Sequence, residues 1–118
     1  MGNSSSDLRY AESYSTNDFE LVIRLAKDLE YFLTEHFQAT GNGFGEKINS
    51  ATCNNQKLPR EITNALWQLN RERNKLVHDR TYNKIQNRQS FITTYQQAKH
   101  SLQQLISPSS GEYRCVIS

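Results

Sequence analysis

Apolar residues recur at helical spacing along three stretches of the chain, and everything between them is polar. Phe19, Val22, Ile23, Ala26, Leu29, Phe32, Leu33 and Phe37 mark the first. They fall on one face of a helix that turns about 100° per residue. Ser15, Thr16 or Asn17 can cap its start, and Asp18 and Glu20 then occupy a first turn that favours negative charge. Thr40-Gly41-Asn42-Gly43 predicts its stop. Phe44 to Ala51 predicts a short helix with Ile48 inward, broken by Asn54, Asn55 and Gln56. Leu58-Pro59 predicts the start of a second long helix, with inner face Ile62, Ala65, Leu66, Leu69, Leu76 and Val77, running to about Asp79. Thr81 to Asn87 reads as a loop pinned by Tyr82 and Ile85. Asn87 can cap a last helix whose face is Phe91, Ile92, Tyr95, Ala98, Leu102, Leu105 and Ile106. No segment alternates at strand period and no repeat is visible.

The expected fold is therefore all-α: a small antiparallel helical bundle of three long helices and one short one. Residues 1–16 form a polar N-terminal segment expected to be flexible, 17–106 the helical domain, and 107–118 a C-terminal tail also expected to be flexible.

Composition sharpens this picture. The 118 residues suffice for one domain. Only 36% are apolar, and amides fill the deficit, with 11 Asn and 9 Gln. The terminal segments do not explain it, because 33 of the 90 residues in 17–106 are apolar, scarcely richer than the whole. Each long helix instead carries one apolar stripe and a broad polar back. Such a bundle is expected to gain stability by pairing with a second copy.

No run of about 18 apolar residues is present, which excludes a transmembrane helix. The first six residues lack the basic-then-apolar layout of a secretory signal. Cys53 and Cys115, without a CxxC, predict neither a disulfide framework nor a zinc site, and point to a reducing, cytoplasmic setting. Three scattered histidines complete no metal site. His36 and His100 read as surface residues. Gly41 to Gly45 lacks the Walker spacing and a preceding strand, and the α/β pattern of a serine hydrolase is absent. Trp67 lies off the main stripe of its helix, placed to pack against the first helix or to anchor a dimer contact.

Net charge is +2, but unevenly spread. Residues 1–40 hold three basic and seven acidic residues; residues 41–118 hold eleven basic and five acidic. Such asymmetry fits a basic working face as well as an uneven solvated surface.

The basic residues gather late in the second long helix, in Arg71-Glu72-Arg73-Asn74-Lys75-Leu76-Val77-His78. Arg73 and His78 are five apart and diverge by about 140° on an ideal helix. Arg71, Asn74, Lys75 and His78 form the exposed stripe, and Arg73 lies near the buried edge. A site built from Arg73 and His78 therefore suits two chains better than one.

Arg73-Asn74-Lys75-Leu76-Val77-His78 resembles the R-x(4–6)-H motif of HEPN domains. The order and spacing of Phe19 to Phe37, Gly45-Glu46-Lys47-Ile48, Leu58-Pro59 and the final helix resemble compact bacterial HEPN-type proteins over about 17–106. The resemblance implies a helical bundle that forms a symmetric homodimer and cleaves RNA without a metal or cofactor, as a toxin or defence ribonuclease, with a cognate antitoxin or partner protein. It assigns catalysis to Arg73 and His78, and substrate binding to Asn74, Lys75 and Arg71. Imidazole titrates near neutrality and suits proton transfer, while a guanidinium fork suits phosphate oxygens. Arg71 to His78 is also R-x(6)-H, so Arg71 remains an alternative; Arg73 would then be structural and pair with an acid on the first helix. Many HEPN-type domains do not cleave, so the alternative function is an interaction module binding a partner protein or nucleotide through the same face.

The termini carry two further motifs. Cys115-Val116-Ile117-Ser118 fits a C-a-a-X prenylation box, and Gly2 with Ser6 fits a myristoylation pattern. Two lipids would anchor the chain to a membrane, where one is marginal. That alternative needs a eukaryotic cell, as source or as host.

Overall fold

The computed structural model describes residues 14–82, 84–107 and 112–113. It is an all-α antiparallel bundle. Helix α1 spans Asp18–His36, α2 Phe44–Ser50, α3 Arg60–His78 and α4 Arg88–Leu105.

Both asparagines at helix starts act as caps. Asn17 Oδ1 accepts from the Glu20 amide at 2.9 Å, and Asn87 Oδ1 from the Ser90 amide at 2.9 Å. Glu20 is braced in turn by the Ser15 hydroxyl at 2.9 Å and Arg24 Nε at 3.2 Å. These bonds, the Ser15 bond foremost, hold the exposed Glu20 carboxyl below its ordinary value.

The first helix ends earlier than the glycines predict. It stops at His36, and Leu33 O accepts from the amides of Phe37 at 2.9 Å and Ala39 at 3.2 Å. The left-handed residue that closes the turn is Gln38 (φ 57°), not glycine. Gly41 (φ 107°) shapes the approach to α2 instead: a Cβ there would stand 2.5 Å from Glu46 Cβ.

Two short hairpins, which the periodicity does not predict, flank the helices. Strands β1 (Thr52–Cys53) and β2 (Gln56–Lys57) pair antiparallel, with Asn54 and Asn55 at φ 56° and 65° between them. The amides read as a break are a two-residue turn of the kind that needs two left-handed residues. Strands β3 (Ile106–Ser107) and β4 (Glu112–Tyr113) form the second pair, which takes Ile106 from the expected last helix and continues into the segment expected to be a tail. Runs of two residues are too short to show a strand period.

The core lies between α1, α3 and α4, with α2 closing one side. Leu21, Val22, Leu25, Ala26, Leu29 and Leu33 are buried on α1, and Ile62, Leu66, Leu69 and Leu76 on α3. Phe91, Ile92, Tyr95, Ala98 and Leu102 bury from α4. Two expected core residues are at the surface. Phe19 is 49% exposed, because burial along α1 begins only at Leu21. Val77 is 38% exposed although it lies within the buried arc, about 20° round from Leu66, because it sits in the last turn of α3 where the cover ends. Trp67 packs on α2, its ring edge 3.3 Å from where a Gly45 Cβ would sit.

Polar bonds tie α1 to α4. Asp28 Oδ2 accepts from Tyr95 Oη at 2.6 Å and Lys99 Nζ at 2.7 Å. Asp18 accepts from the Ile85 amide at 3.0 Å and from Arg88. The Ile85 bond draws the loop after α3 onto the start of α1, which sets those two helices antiparallel.

Cys53 is buried and disulfide-bonded, which overturns the expectation of two unpaired thiols. The reducing setting inferred from unpaired thiols therefore loses its support. The chain's second cysteine, Cys115, lies outside the described residues, as does Gly2. Both lipidation motifs therefore fall outside them. Among the described residues, no helix is long and apolar enough to cross a membrane.

Candidate nucleic-acid interface

The last two turns of α3 carry the motif. Spacing alone sets their order around the axis. From Glu72, Lys75 and His78 follow at three-residue steps, each about 60° further round, with Arg71 between the latter two. Arg71, Lys75 and His78 are exposed and Asn74 is half-buried. The expected stripe is thus present, with Asn74 at its margin. Among the described residues, the side chains of Arg71 and His78 have neither a hydrogen bond nor an ion pair. His78 is the final residue of α3, in the turn where a cation meets the negative end of the helix dipole.

Arg73 is different. It is half-buried, and its Nη1 donates to Asn74 Oδ1 at 3.0 Å. Among the described residues it forms no ion pair, so the pairing with an acid on α1, the alternative tied to Arg71, is absent. The helix is unbroken from Arg73 to His78, so the two point to different sides of one chain. Asn74 joins the arginine, not the histidine.

The chain leaves α3 through a tight polar turn. Asp79 Oδ1 accepts from the Thr81 hydroxyl at 2.8 Å and the Thr81 amide at 3.0 Å. These bonds, the hydroxyl's first, hold the exposed Asp79 carboxyl below its ordinary value. The turn fixes the backbone next to His78.

Glu72, which the sequence did not single out, and Tyr82, expected only to pin the loop, complete the region. Tyr82 Oη donates to Glu72 Oε1 at 2.9 Å, and Lys75 Nζ lies 3.6 Å from Glu72 Oε2. The same ammonium stands 5.5 Å from the centre of the Tyr82 ring. Burial, then the Glu72 carboxylate, pushes the Tyr82 phenol above its ordinary value. The Glu72–Lys75 spacing is visible in the sequence as i, i+3. The Tyr82 contact, ten residues off across a turn, is not.

Beside this row a cleft of 180 Å³ opens between α3 and α4. Gln68 and Glu72 form one wall, Gln86, Asn87 and Ser90 the other, and Phe91 contributes apolar surface. A wider hollow of 820 Å³ lies along α1, between Tyr14 and Tyr31, and includes none of the motif residues.

No family model matches the chain, and no curated protein or solved structure matches it.

Proposed function

We propose that the chain binds and cleaves RNA as a symmetric pair of HEPN-like bundles. The observation that carries this reading is His78: exposed, without a partner among the described residues, and on one arc with Arg71 and Lys75. An unengaged imidazole beside two cations suits a phosphodiester substrate.

His78 Nε2 or Nδ1 takes the proton of a ribose 2′-hydroxyl. The oxygen attacks the adjacent phosphorus, and the P–O5′ bond breaks. The products are a 2′,3′-cyclic phosphate and a 5′-hydroxyl, whose oxygen receives the proton from the imidazolium that His78 has become. Arg73 of the facing copy lies against the phosphate oxygens, where its planar fork stabilises the growing charge. The exposed Val77, next to His78, supplies apolar surface for the contact between copies.

The test is cleavage of total RNA in the presence of a chelator. His78→Ala is expected to lower the rate by about 10²–10⁴-fold, and Arg73→Ala by about 10²-fold or more. A wild-type chain that leaves RNA intact, or His78→Ala cutting at the wild-type rate, removes the nuclease reading.

A second reading is supported by the Arg73–Asn74 bond, which engages the arginine within its own chain. The same face then serves as a non-catalytic module that docks a partner protein or a nucleotide. Its signature is binding that weakens with Arg71→Ala and Lys75→Ala, without any RNA product.

A further inference from the structure

We infer that the cleft between α3 and α4 is a subsite for one unpaired nucleobase that carries an exocyclic amine. This rests on the reading of the adjacent face as an RNA site. At 180 Å³ the cleft is well below the roughly 300 Å³ where pockets for drug-sized ligands begin. It is suited to one planar ring system, not to a whole nucleotide.

Its chemistry is that of base-edge recognition. Phe91, Leu69 and Ile85 provide apolar contact. Gln68 and Gln86 each present a donor and an acceptor, which is how amides meet base edges. Glu72 provides the selectivity. A carboxylate has about four lone-pair sites; the Tyr82 hydrogen bond takes one on Oε1, and Lys75 Nζ stands 3.6 Å from Oε2. The remaining sites accept only from a donor. Adenine, cytosine and guanine bring an amine there; uracil brings only its N3–H, flanked by two carbonyls that face the negative charge, and binds more weakly.

Placement links the cleft to His78. Glu72, Lys75 and His78 form a row spanning about 9 Å along the helix axis. A base in the cleft thus leaves its backbone running past Lys75 toward His78. Single-stranded RNA is read in this way, by unstacked bases whose edges are hydrogen-bonded. The subsite would make cleavage depend on the base beside the broken bond.

The test is an NMR titration of the full chain with the four nucleoside 3′-monophosphates. Those of adenosine, cytidine and guanosine are expected to shift the amides of Gln68, Gln86 and Ser90 saturably, with uridine at least tenfold weaker. Glu72→Gln should narrow that gap, and Ser90→Leu, which fills the cleft, should abolish the shifts. Gln86→Ala, at an exposed loop position, gives a second variant should Ser90→Leu fail to fold, and should weaken binding severalfold. Absent shifts at these amides, or uridine binding as tightly as the others, overturn the subsite. RNA cleavage is scored separately. A chain that binds in the cleft but does not cut loses the nuclease reading and keeps the subsite. One that cuts without cleft shifts keeps the nuclease and loses the subsite.

Discussion

Arg73 donates to the side-chain oxygen of Asn74 at 3.0 Å, so the motif's arginine is oriented by its neighbour and not by an acid. A neutral acceptor leaves the guanidinium charge uncompensated. That suits an arginine whose remaining donors are to meet a phosphate, since a carboxylate partner would compete for the same fork. Asn74→Ala is expected to cost little stability, about 1 kcal/mol or less, while lowering RNA cleavage about tenfold through loss of arginine orientation. Arg73→Lys keeps the charge but loses the fork, and is expected to fall close to Arg73→Ala. Initial rates on total RNA, alongside urea unfolding of each variant, check both expectations. Full activity in Asn74→Ala removes the positioning role.

Asp28 is the hub of the contact between α1 and α4. It accepts from Tyr95, which is 3% exposed, and from Lys99, whose ammonium also lies 5.2 Å from the centre of the Phe32 ring. Tyr95→Phe preserves the packing and deletes a hydrogen bond to a charged acceptor. It should destabilise the fold by about 1.5–3 kcal/mol. Asp28→Asn should cost a similar amount, and the double variant less than the sum, because both remove the same bond. A double-mutant cycle in urea measures this, and strict additivity would show that the bond contributes nothing.

The helices were legible because each has an apolar stripe long enough to show its period. Asn17 and Asn87 were legible as caps because capping is local chemistry, settled within three residues. What escaped has one of two causes. Gln38 closes α1 where glycine was expected, because a left-handed residue is favoured but not required to be glycine. Tyr82 meeting Glu72, and Asp18 meeting Arg88, are tertiary contacts that no spacing encodes. For the site, the exposed stripe of Arg71, Lys75 and His78 followed from helical geometry. The cleft did not, because its walls come from α3 and from a loop some fourteen residues later. Phe19 and Val77 show the limit of periodicity: it assigns a face, but not where along the helix the cover ends.

Tyr82 ties the loop after α3 to Glu72, and its phenol is held above the ordinary value near 10. The folded state therefore favours the neutral phenol more than the unfolded chain does. That contribution is complete below about pH 10 and declines as pH rises from there through the higher folded value. Tyr82→Phe is expected to lower stability by about 1 kcal/mol at neutral pH. The gap between wild type and variant should stay constant up to pH 9 and narrow above pH 10. Urea midpoints at pH 7, 9, 10 and 11 measure it, and a gap that widens at high pH would reverse the sign of the argument.

Cys53 bears on both stability and setting. It is buried and disulfide-bonded at the base of the Asn54–Asn55 turn, close to where α2 gives way to α3. Only one other cysteine, Cys115, exists in the chain. The same sulfur cannot be both in a disulfide and prenylated, so the oxidation state of the purified protein decides which chemistry applies. Intact mass after iodoacetamide treatment in denaturant without reductant should show no added carbamidomethyl group, and two after reduction in the same denaturant. Reduction, or Cys53→Ser, should lower stability by about 2–5 kcal/mol. Non-reducing electrophoresis separates the remaining cases: a monomer band places the bond within one chain, whereas a dimer band that collapses on reduction places it between two copies. Complete alkylation of the denatured, unreduced protein would show both thiols free and restore the reducing setting that the sequence implied.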